Sequence, residues 1–295
     1  MASHDFDTVQ TAGLRAAVRP DPVQVIAVTG GKGGVGKTSV SVNLAAAQAS
    51  RGKRVLLLDG DLGLANVDVL LGLTPRFTLE HVLDGRCTLE EAVINAPQGF
   101  KVIPAASGIS RMSELSTAQH LGLVQAFSHL TAGIDVLIVD TAAGIADSVR
   151  QFCQAAQHVL LVVRDEPASL TDAYALVKVL SRDHRQRNFH VLANMTGRAG
   201  EGEVLFRKLE RVTSRFLDVV LDYAGEIPED AYVRSAIREQ RTLMDAYPSS
   251  AAARAFKKLA LAADRWPMAS SPRGNVEFFV ERLVGNGAPR MEAGR

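Results

Sequence analysis

The segment from residue 25 to residue 50 constrains the fold more than any other part of the chain. An apolar run at 25–28 is followed by the string G-G-K-G-G-V-G-K-T at 30–38 and then by the helix-like stretch 39–50. Glycines adopt backbone angles that are closed to other residues, so successive N–H groups in such a loop can point at one anion. The helix that follows adds unpaired N–H groups and the positive end of its dipole. The segment therefore predicts a strand, an anion-binding loop and a helix start.

Residues 31–38 also fit the pattern G-x-x-x-x-G-K-[ST], in which the lysine contacts the β- and γ-phosphates of a nucleotide and the hydroxyl binds Mg²⁺. Lys37 and Thr38 occupy these two positions. A chance match in a flexible loop is the alternative, and the flanking strand and helix argue against it. We expect the nucleotide to contact a continuous set of residues: Gly31, Lys32, Gly33, Gly34, Val35, Gly36, Lys37, Thr38 and Ser39.

The rest of the chain alternates apolar runs with helical patterns, of which 39–51 and 170–182 are examples. Most of the runs are apolar at consecutive positions, as expected of parallel strands covered on both faces. We predict an α/β fold, a mainly parallel sheet flanked by helices on both faces, in residues 23–266. A polar arm, 1–22, precedes this domain, and a linker, a short amphipathic helix and a tail follow it in 267–295. The predicted strands after the first are 55–59, 100–104, 136–140, 159–163, 190–194 and 219–227.

Composition limits the possible partners and the compartment. The chain has 33 basic and 32 acidic residues, so no overall charge attracts it to DNA or to an anionic membrane, and we expect no direct DNA binding. Its two cysteines, Cys87 and Cys153, form no C-x-x-C pair, which argues against a zinc site or an iron–sulfur cluster and for a reducing compartment. The polar start does not resemble a signal peptide, and no run is long enough to span a bilayer. We therefore expect a cytoplasmic protein.

Three acidic residues follow predicted strands. Asp140 ends the run 136–139, where a carboxylate can serve a Mg²⁺ ion beside the glycine-rich loop, although it can also cap the next helix. Asp59 and Asp61 end the strand at 55–59 and, two residues apart in extended chain, project to the same side. One of them can face the metal and the other can orient a water molecule, whereas the simpler interpretation is a pair of turn residues.

Three strings resemble motifs of the MinD/ParA ATPases over about residues 23–265. They are G-K-G-G-V-G-K-T at 31–38, D-G-D-L-G-L-A-N-V-D from Asp59, and D-T-A-A-G-I from Asp140. The resemblance implies a slow ATPase that uses ATP and Mg²⁺ and forms an ATP-dependent homodimer, in which Lys32 touches the partner's nucleotide. It also implies that Asp61 positions the attacking water and that Asp59, Asp140 and Thr38 lie at the Mg²⁺ ion. The residues implied to hold adenine are Asn194, Pro228 and Glu229.

Within this family the chain looks like the branch that regulates flagellar number. The strings L-T-D-A-Y-A-L-V-K from Leu170 and N-V-E-F-F-V-E-R-L-V at 275–284 carry this likeness. It implies an antagonist of a flagellar transcription activator of the enhancer-binding class. Gln10, Leu14 and Arg15 further resemble a motif that engages an SRP-type GTPase, with departures at the two positions beside Gln10. A MinD-like division-site or ParA-like partitioning ATPase is the alternative.

Three surface features allow two interpretations each. The basic face of the predicted helix 203–216 is either solvated or a site for an acidic partner or DNA phosphate. Glu166 matches family sequence near the dimer face, but Asp165 stands where a proline is more usual, so its role across the dimer is open. The C-terminal segment has an apolar stripe that either docks on its own domain or binds the inner membrane peripherally, and the stripe consists of Val276, Phe279, Val280, Leu283 and Val284.

Overall fold

The structure, a computed structural model, describes residues 23–61, 66–104, 125–127, 129–130, 133–184, 186–267 and 280. Within these residues, eight strands form one sheet in the order β3-β4-β2-β5-β1-β6-β7-β8. All neighbouring strands pair in parallel except β3 and β4, which are antiparallel. The strands are β1 Gln24–Thr29, β2 Val55–Gly60, β3 Ile94–Asn95, β4 Lys101–Ile103, β5 Val136–Thr141, β6 His158–Val163, β7 Asn188–Thr196 and β8 Val220–Pro228.

Helices cover both faces of the sheet, which confirms the predicted α/β fold class. The apolar side chains of the strands alternate between two core clusters, one on each face, so β1 contributes Val25 and Ala27 to one cluster and Ile26 and Val28 to the other. The helices, with bounds taken from the described residues, are α1 Lys37–Ala49, α2 Val67–Leu71, α3 Leu79–Leu83, α4 Leu89–Ala92, α5 Asp147–Ala155, α6 Pro167–His184, α7 Glu201–Phe216, α8 Ala231–Arg238, α9 Leu243–Ala246 and α10 Ala251–Ala263.

The seven strands predicted from apolar runs are present, and each is within about two residues of its predicted bounds. The eighth strand, β3, was not predicted, because no apolar run indicates it. It has two residues and pairs only with β4 at one edge, so it is too short to produce a periodic pattern. Both faces of the central strands are buried, which is why their runs are continuously apolar.

Strand order brings three distant segments to one edge of the sheet. β1 lies between β5 and β6, and β5 lies between β1 and β2. In this register Asp140 of β5 is the direct neighbour of both Val28 of β1 and Asp59 of β2. The glycine-rich loop after β1 and the two strand-end carboxylates therefore meet at the carboxyl edge, where ligands of open parallel sheets bind.

The terminal segments are described at one position only. Val280 is fully buried and belongs to the core cluster that also contains Val25 and Leu137. The other four residues of the apolar stripe, and the N-terminal residues Gln10, Leu14 and Arg15, lie outside the described residues. Among the described helices, each is too short or too polar to cross a membrane.

Candidate nucleotide-binding site

The glycine-rich loop occupies residues 30–36, between β1 and α1. Gly36 begins α1 with a φ of 92°, a backbone angle that strains any residue with a Cβ atom. The first turn of α1 reads K-T-S-V and has no acidic side chain that competes for its free N–H groups. These amides and the positive end of the helix dipole therefore face an open loop, which is the arrangement that binds phosphate.

Tight packing fixes the shape of this loop. A Cβ atom on Gly31 would lie 2.2 Å from the carbonyl carbon of Asp172 in α6, and one on Gly36 would lie 2.4 Å from Nδ2 of Asn194. Nδ2 of Asn194 donates a hydrogen bond to the carbonyl oxygen of Val35, at 2.8 Å. By contrast, no described atom lies within 4 Å of a Cβ atom placed on Gly33 or Gly34. The loop is thus anchored at both ends and open in the middle.

Lys37 lies between the loop and the acidic strand ends. Its side chain is buried, and this burial lowers the pKa of the ammonium group, whereas the nearby charges of Asp140 and Asp61 raise it. A cation in such a position is poorly hydrated, and nearby carboxylates stabilise its charge. It is therefore well placed to take phosphate oxygens as partners instead of water.

Asp140 presents one carboxylate oxygen without a partner. Its Oδ1 accepts a hydrogen bond from Oγ of Ser41, at 2.8 Å, while its fully buried Oδ2 has no hydrogen-bond partner among the described residues. Burial, helped by the charge of Asp59 and opposed by hydrogen bonding from Thr38 and Ser41, raises the pKa of Asp140 to about 7. A buried carboxylate oxygen beside a threonine hydroxyl is the donor set that a hard divalent cation such as Mg²⁺ prefers. These residues therefore fit the predicted metal.

Asp59 accepts hydrogen bonds from the backbone at Asp61, the third acidic residue, and at the start of α2. Its Oδ1 accepts the N–H of Asp61 at 3.1 Å, and its Oδ2 accepts the N–H groups of Asn66 and Val67 at 3.2 and 3.3 Å. Burial raises the pKa of Asp59 to about 6, and these backbone hydrogen bonds oppose the increase. Asp59 thus fixes both Asp61 and the start of α2, in addition to lying next to Asp140.

The residues predicted to hold adenine line one cleft. Its volume is about 90 Å³, and Ser39, Asn194, Pro228 and Glu229 all belong to its wall. The remaining wall consists of Met195, Ile227, Asp230, Val233, Arg234 and Phe256. Since Nδ2 of Asn194 already bonds to the loop, the amide has its Oδ1 and one N–H left for a base.

Two residues of the site were missed by sequence reasoning. Met195 has a φ of 58° at a bulge between β7 and β8, and its Cε lies only 3.3 Å from the position of a Cβ atom on Gly36. Ser41 bonds to Asp140 from the second turn of α1. A left-handed methionine and a serine within a helix have no local pattern, so neither was predictable from the sequence.

Lys32, the predicted cross-dimer residue, is 44% exposed and lies 3.5 Å from Oε2 of Glu166. Glu166 also contacts Arg164, at 3.1 Å. An exposed ion pair of this kind contributes about 0.2–1 kcal/mol, so little energy holds Lys32 in place. Glu166 is thus an acceptor for Lys32 within the same chain.

Two cations on the basic face of α7 are paired with acids within the chain. Arg207 contacts Glu203 at 3.6 Å and Glu210 at 2.8 Å, and Lys208 contacts Asp165 at 3.0 Å. These contacts agree with the interpretation of the face as a solvated surface. Asp165, at the position where a proline is usual, thus has an ion-pair partner.

A phosphate-binding loop, buried strand-end acids and a base cleft at one sheet edge define the class of P-loop nucleotide-binding proteins. A family model described as "AAA domain" matches residues 23–193. The chain is 61% identical over 263 residues to antiactivator FleN of Pseudomonas aeruginosa, covering 89% of this chain and 94% of that protein. It is 31% identical to the flagellum site-determining protein YlxH of Helicobacter pylori, with 80% of each chain covered.

Two solved structures add to this likeness. The cell division ATPase MinD of Pyrococcus furiosus has a TM-score of 0.66 and 27% identity, covering 83% of this chain and 99% of that one. MinD of Pyrococcus horikoshii, complexed with Mg-ADP, has a TM-score of 0.65 and 28% identity, with 82% and 96% covered. The chain belongs to the MinD/ParA-type ATPase family, in the branch of antiactivator FleN. The predicted family is therefore confirmed, as is the prediction of ATP and Mg²⁺ as its cofactors.

Proposed function

We propose that the protein is an ATP-dependent switch that regulates flagellar number by antagonising a flagellar transcription activator of the enhancer-binding class. The 61% identity to an antiactivator over 89% of the chain supports the regulatory role. The structural observation that carries the ATPase role is the buried Oδ2 of Asp140, which lies at the sheet edge next to the phosphate-binding loop and has no hydrogen-bond partner among the described residues.

The residues of the site have separate roles in ATP hydrolysis. The amides of the loop and the ammonium group of Lys37 bind the phosphates, and Thr38 and Asp140 hold Mg²⁺ with Asp59 beside them. When bound, Mg²⁺ neutralises phosphate charge. Asp61 orients the attacking water, and its backbone is held in place by Asp59. Phosphoryl transfer needs little covalent help, so positioning and charge neutralisation account for the chemistry. Turnover is slow, so that the ATP state persists.

ATP closes two copies of the chain face to face, and Lys32 of each contacts the phosphates held by the other. The exposure of Lys32 and its weak contact with Glu166 support this role, because leaving Glu166 costs little energy. Hydrolysis removes the phosphate contact and separates the two copies.

The extensions outside the ATPase domain, 23–266, provide further contacts. The apolar C-terminal stripe attaches the ATP-bound dimer to the inner membrane, where two copies bind more strongly than one. Val280 is buried in the single chain, so membrane binding requires the stripe to leave the core. In the N-terminal arm, Gln10, Leu14 and Arg15 contact an SRP-type flagellar GTPase.

The regulatory role is tested by removing the protein from its host and counting flagella. We expect the number of flagella per cell to change, and the wild-type protein, but not Lys37→Ala, to restore it. The variant Lys257→Ala is a matched control, because this lysine is exposed and its ammonium group bonds to the carbonyl oxygen of Pro248, away from the site. Normal flagella with minicells or with plasmid loss would instead indicate a division-site or partitioning ATPase.

A further inference from the structure

The short helix α2 is held by side chains from two other parts of the chain. At its start, Oδ2 of Asp59 accepts the N–H groups of Asn66 and Val67. At its third residue, Nε2 of Gln240 donates a hydrogen bond to the carbonyl oxygen of Val69, at 3.0 Å. A five-residue helix has little stability of its own, so its position depends on these two attachments and on the burial of Val67, Leu70 and Leu71 in the core.

Gln240 has a backbone conformation that is unusual for its residue type. It follows α8 with a φ of 54°, and the N–H groups of Gln240 and Arg241 bond to the carbonyl oxygens of Ile237 and Ala236 at 3.1 and 3.0 Å. This is the left-handed closure of a helix, where glycine is the favoured residue. Glutamine is strained in this conformation and glycine is not, so the backbone conformation does not explain why position 240 is a glutamine.

The glutamine side chain is also packed closely against α2. A Cβ atom placed on Gly72, which ends α2, would lie 3.0 Å from Oε1 and 3.1 Å from Cβ of Gln240. The amide is thus confined between the end of α2 and the end of α8. It fixes the distance between these two helices as well as supplying a hydrogen bond.

The helix that carries Gln240 is itself anchored at the base cleft. Asp230 lines the cleft and caps α8, with Oδ1 accepting the N–H of Tyr232 at 3.0 Å. Its Oδ2 accepts the N–H of Ala252, the second residue of α10, at 3.0 Å. The N-terminal end of α8 is therefore anchored, and this helix gives Gln240 at its other end a fixed support from which to hold α2.

We propose that Gln240 is a positioning residue for ATP hydrolysis. Through Val69 it holds α2 in place, and α2 in turn presents Asn66 and Val67 to Asp59. Asp59 also binds the N–H of Asp61, so a displaced α2 disturbs the carboxylate that places Asp61. This inference rests on the proposed role of Asp61 in orienting the attacking water.

The test compares Gln240→Gly, Gln240→Met and the control Arg238→Ala in steady-state ATPase assays and in ATP-binding titrations of the full chain. Glycine removes the side chain and relieves the backbone, whereas methionine keeps the length and the strain but lacks the donor. Arg238 is an exposed residue at the end of the same helix, and its side chain bonds to Ser235. We expect both Gln240 variants to lose about fivefold in kcat, as one hydrogen bond predicts, with ATP affinity unchanged. Arg238→Ala should match the wild type.

The same assays include Asp61→Ala, which separates two kinds of failure. If Asp61→Ala is inactive while both Gln240 variants turn over ATP like the wild type, the positioning role is wrong and the role of Asp61 stands. If Asp61→Ala remains fully active, both ideas are wrong. A parallel loss of ATP affinity, kcat and unfolding midpoint in both Gln240 variants would also overturn the proposal, because a damaged fold explains it.

Discussion

Replacing Asp140 by asparagine removes a buried charge from the centre of the proposed metal site. Burial raises the pKa of this carboxyl group from 3.8 to about 7. The folded protein therefore keeps the proton to a higher pH than the unfolded chain does. As the pH rises from about 4 to about 7, ionisation of the unfolded chain lowers the free energy of unfolding, and above pH 7 the loss is complete. Asparagine cannot ionise, so the variant escapes this loss.

The size of the effect follows from the two pKa values. At about 1.4 kcal/mol for each pKa unit, the metal-free wild type loses about 4 kcal/mol at pH 8 and about 2 kcal/mol at pH 5.5. The asparagine carbonyl still accepts the hydrogen bond from Ser41, and the effect of Lys37 is already contained in the pKa of Asp140. We expect Asp140→Asn to be more stable than the wild type in EDTA, by about 2 kcal/mol more at pH 8 than at pH 5.5. His158 and His190 titrate in this range too, but equally in both proteins, so their effect cancels.

Urea unfolding of both proteins in EDTA at these two pH values measures the difference. A second pair of urea titrations is made with excess Mg²⁺ and ADP. These ligands should stabilise the wild type strongly and the variant only weakly, because the variant lacks the charged metal ligand. The control is Asp68→Asn, a half-buried residue of α2 whose carboxylate bonds to the N–H of Val69. A stability gap that is independent of pH, or equal stabilisation of both proteins by Mg²⁺ with ADP, would refute the reasoning.

Three further predictions concern the switch and the buried histidines. Asp61→Ala should bind ATP and remain dimeric in size-exclusion chromatography, because only water orientation is lost; a monomer would contradict the assignment. Lys32→Ala should bind ATP within about twofold of the wild type, since its contact is in trans, and elute as a monomer; an ATP-induced dimer would exclude that contact. Burial lowers the pKa of His190 to about 4, so the neutral ring is favoured on folding and stability falls as the pH falls below 6.5. His190→Phe should therefore reduce the stability lost between pH 7 and pH 5 by about 1–2 kcal/mol, as read from the fluorescence of Trp266, and an unchanged loss would refute it.

The fold was predictable because its determinants are local and repetitive. Continuous apolar runs identify strands that are buried on both faces, and the loop pattern fixes which of them is β1. The sheet edge then follows from the rule that parallel strands present their carboxyl ends together, which brings Asp59 and Asp140 to the glycine-rich loop. The two-residue strand β3 escaped this reasoning, because no periodicity exists over two residues.

The features of the site that could not be predicted from the sequence depend on tertiary geometry. Asn194 was predicted as an adenine ligand from the family resemblance, but its bond to Val35 requires that β7 approach the loop, which the sequence does not encode locally. Met195 and Gln240 adopt positive φ values for which no residue-type signal exists. The apolar stripe at 276–284 has a helical period whether it docks on the domain or on a membrane, so only the burial of Val280 distinguishes the two for the single chain.

The charges at the sheet edge explain why the proposed switch needs both a metal and a second chain. Asp59, Asp61 and Asp140 place three carboxyl groups near the glycine-rich loop, and Lys37 is the one buried cation in the part of the chain that the structure describes. A triphosphate would add negative charge where water screens it poorly, so Mg²⁺ and a further cation are required. In the proposed dimer Lys32 of the second copy supplies that charge, whereas in the single chain its carboxylate partner is Glu166. On this proposal, loss of the γ-phosphate returns Lys32 to an acceptor that is already present, so hydrolysis favours separation of the dimer.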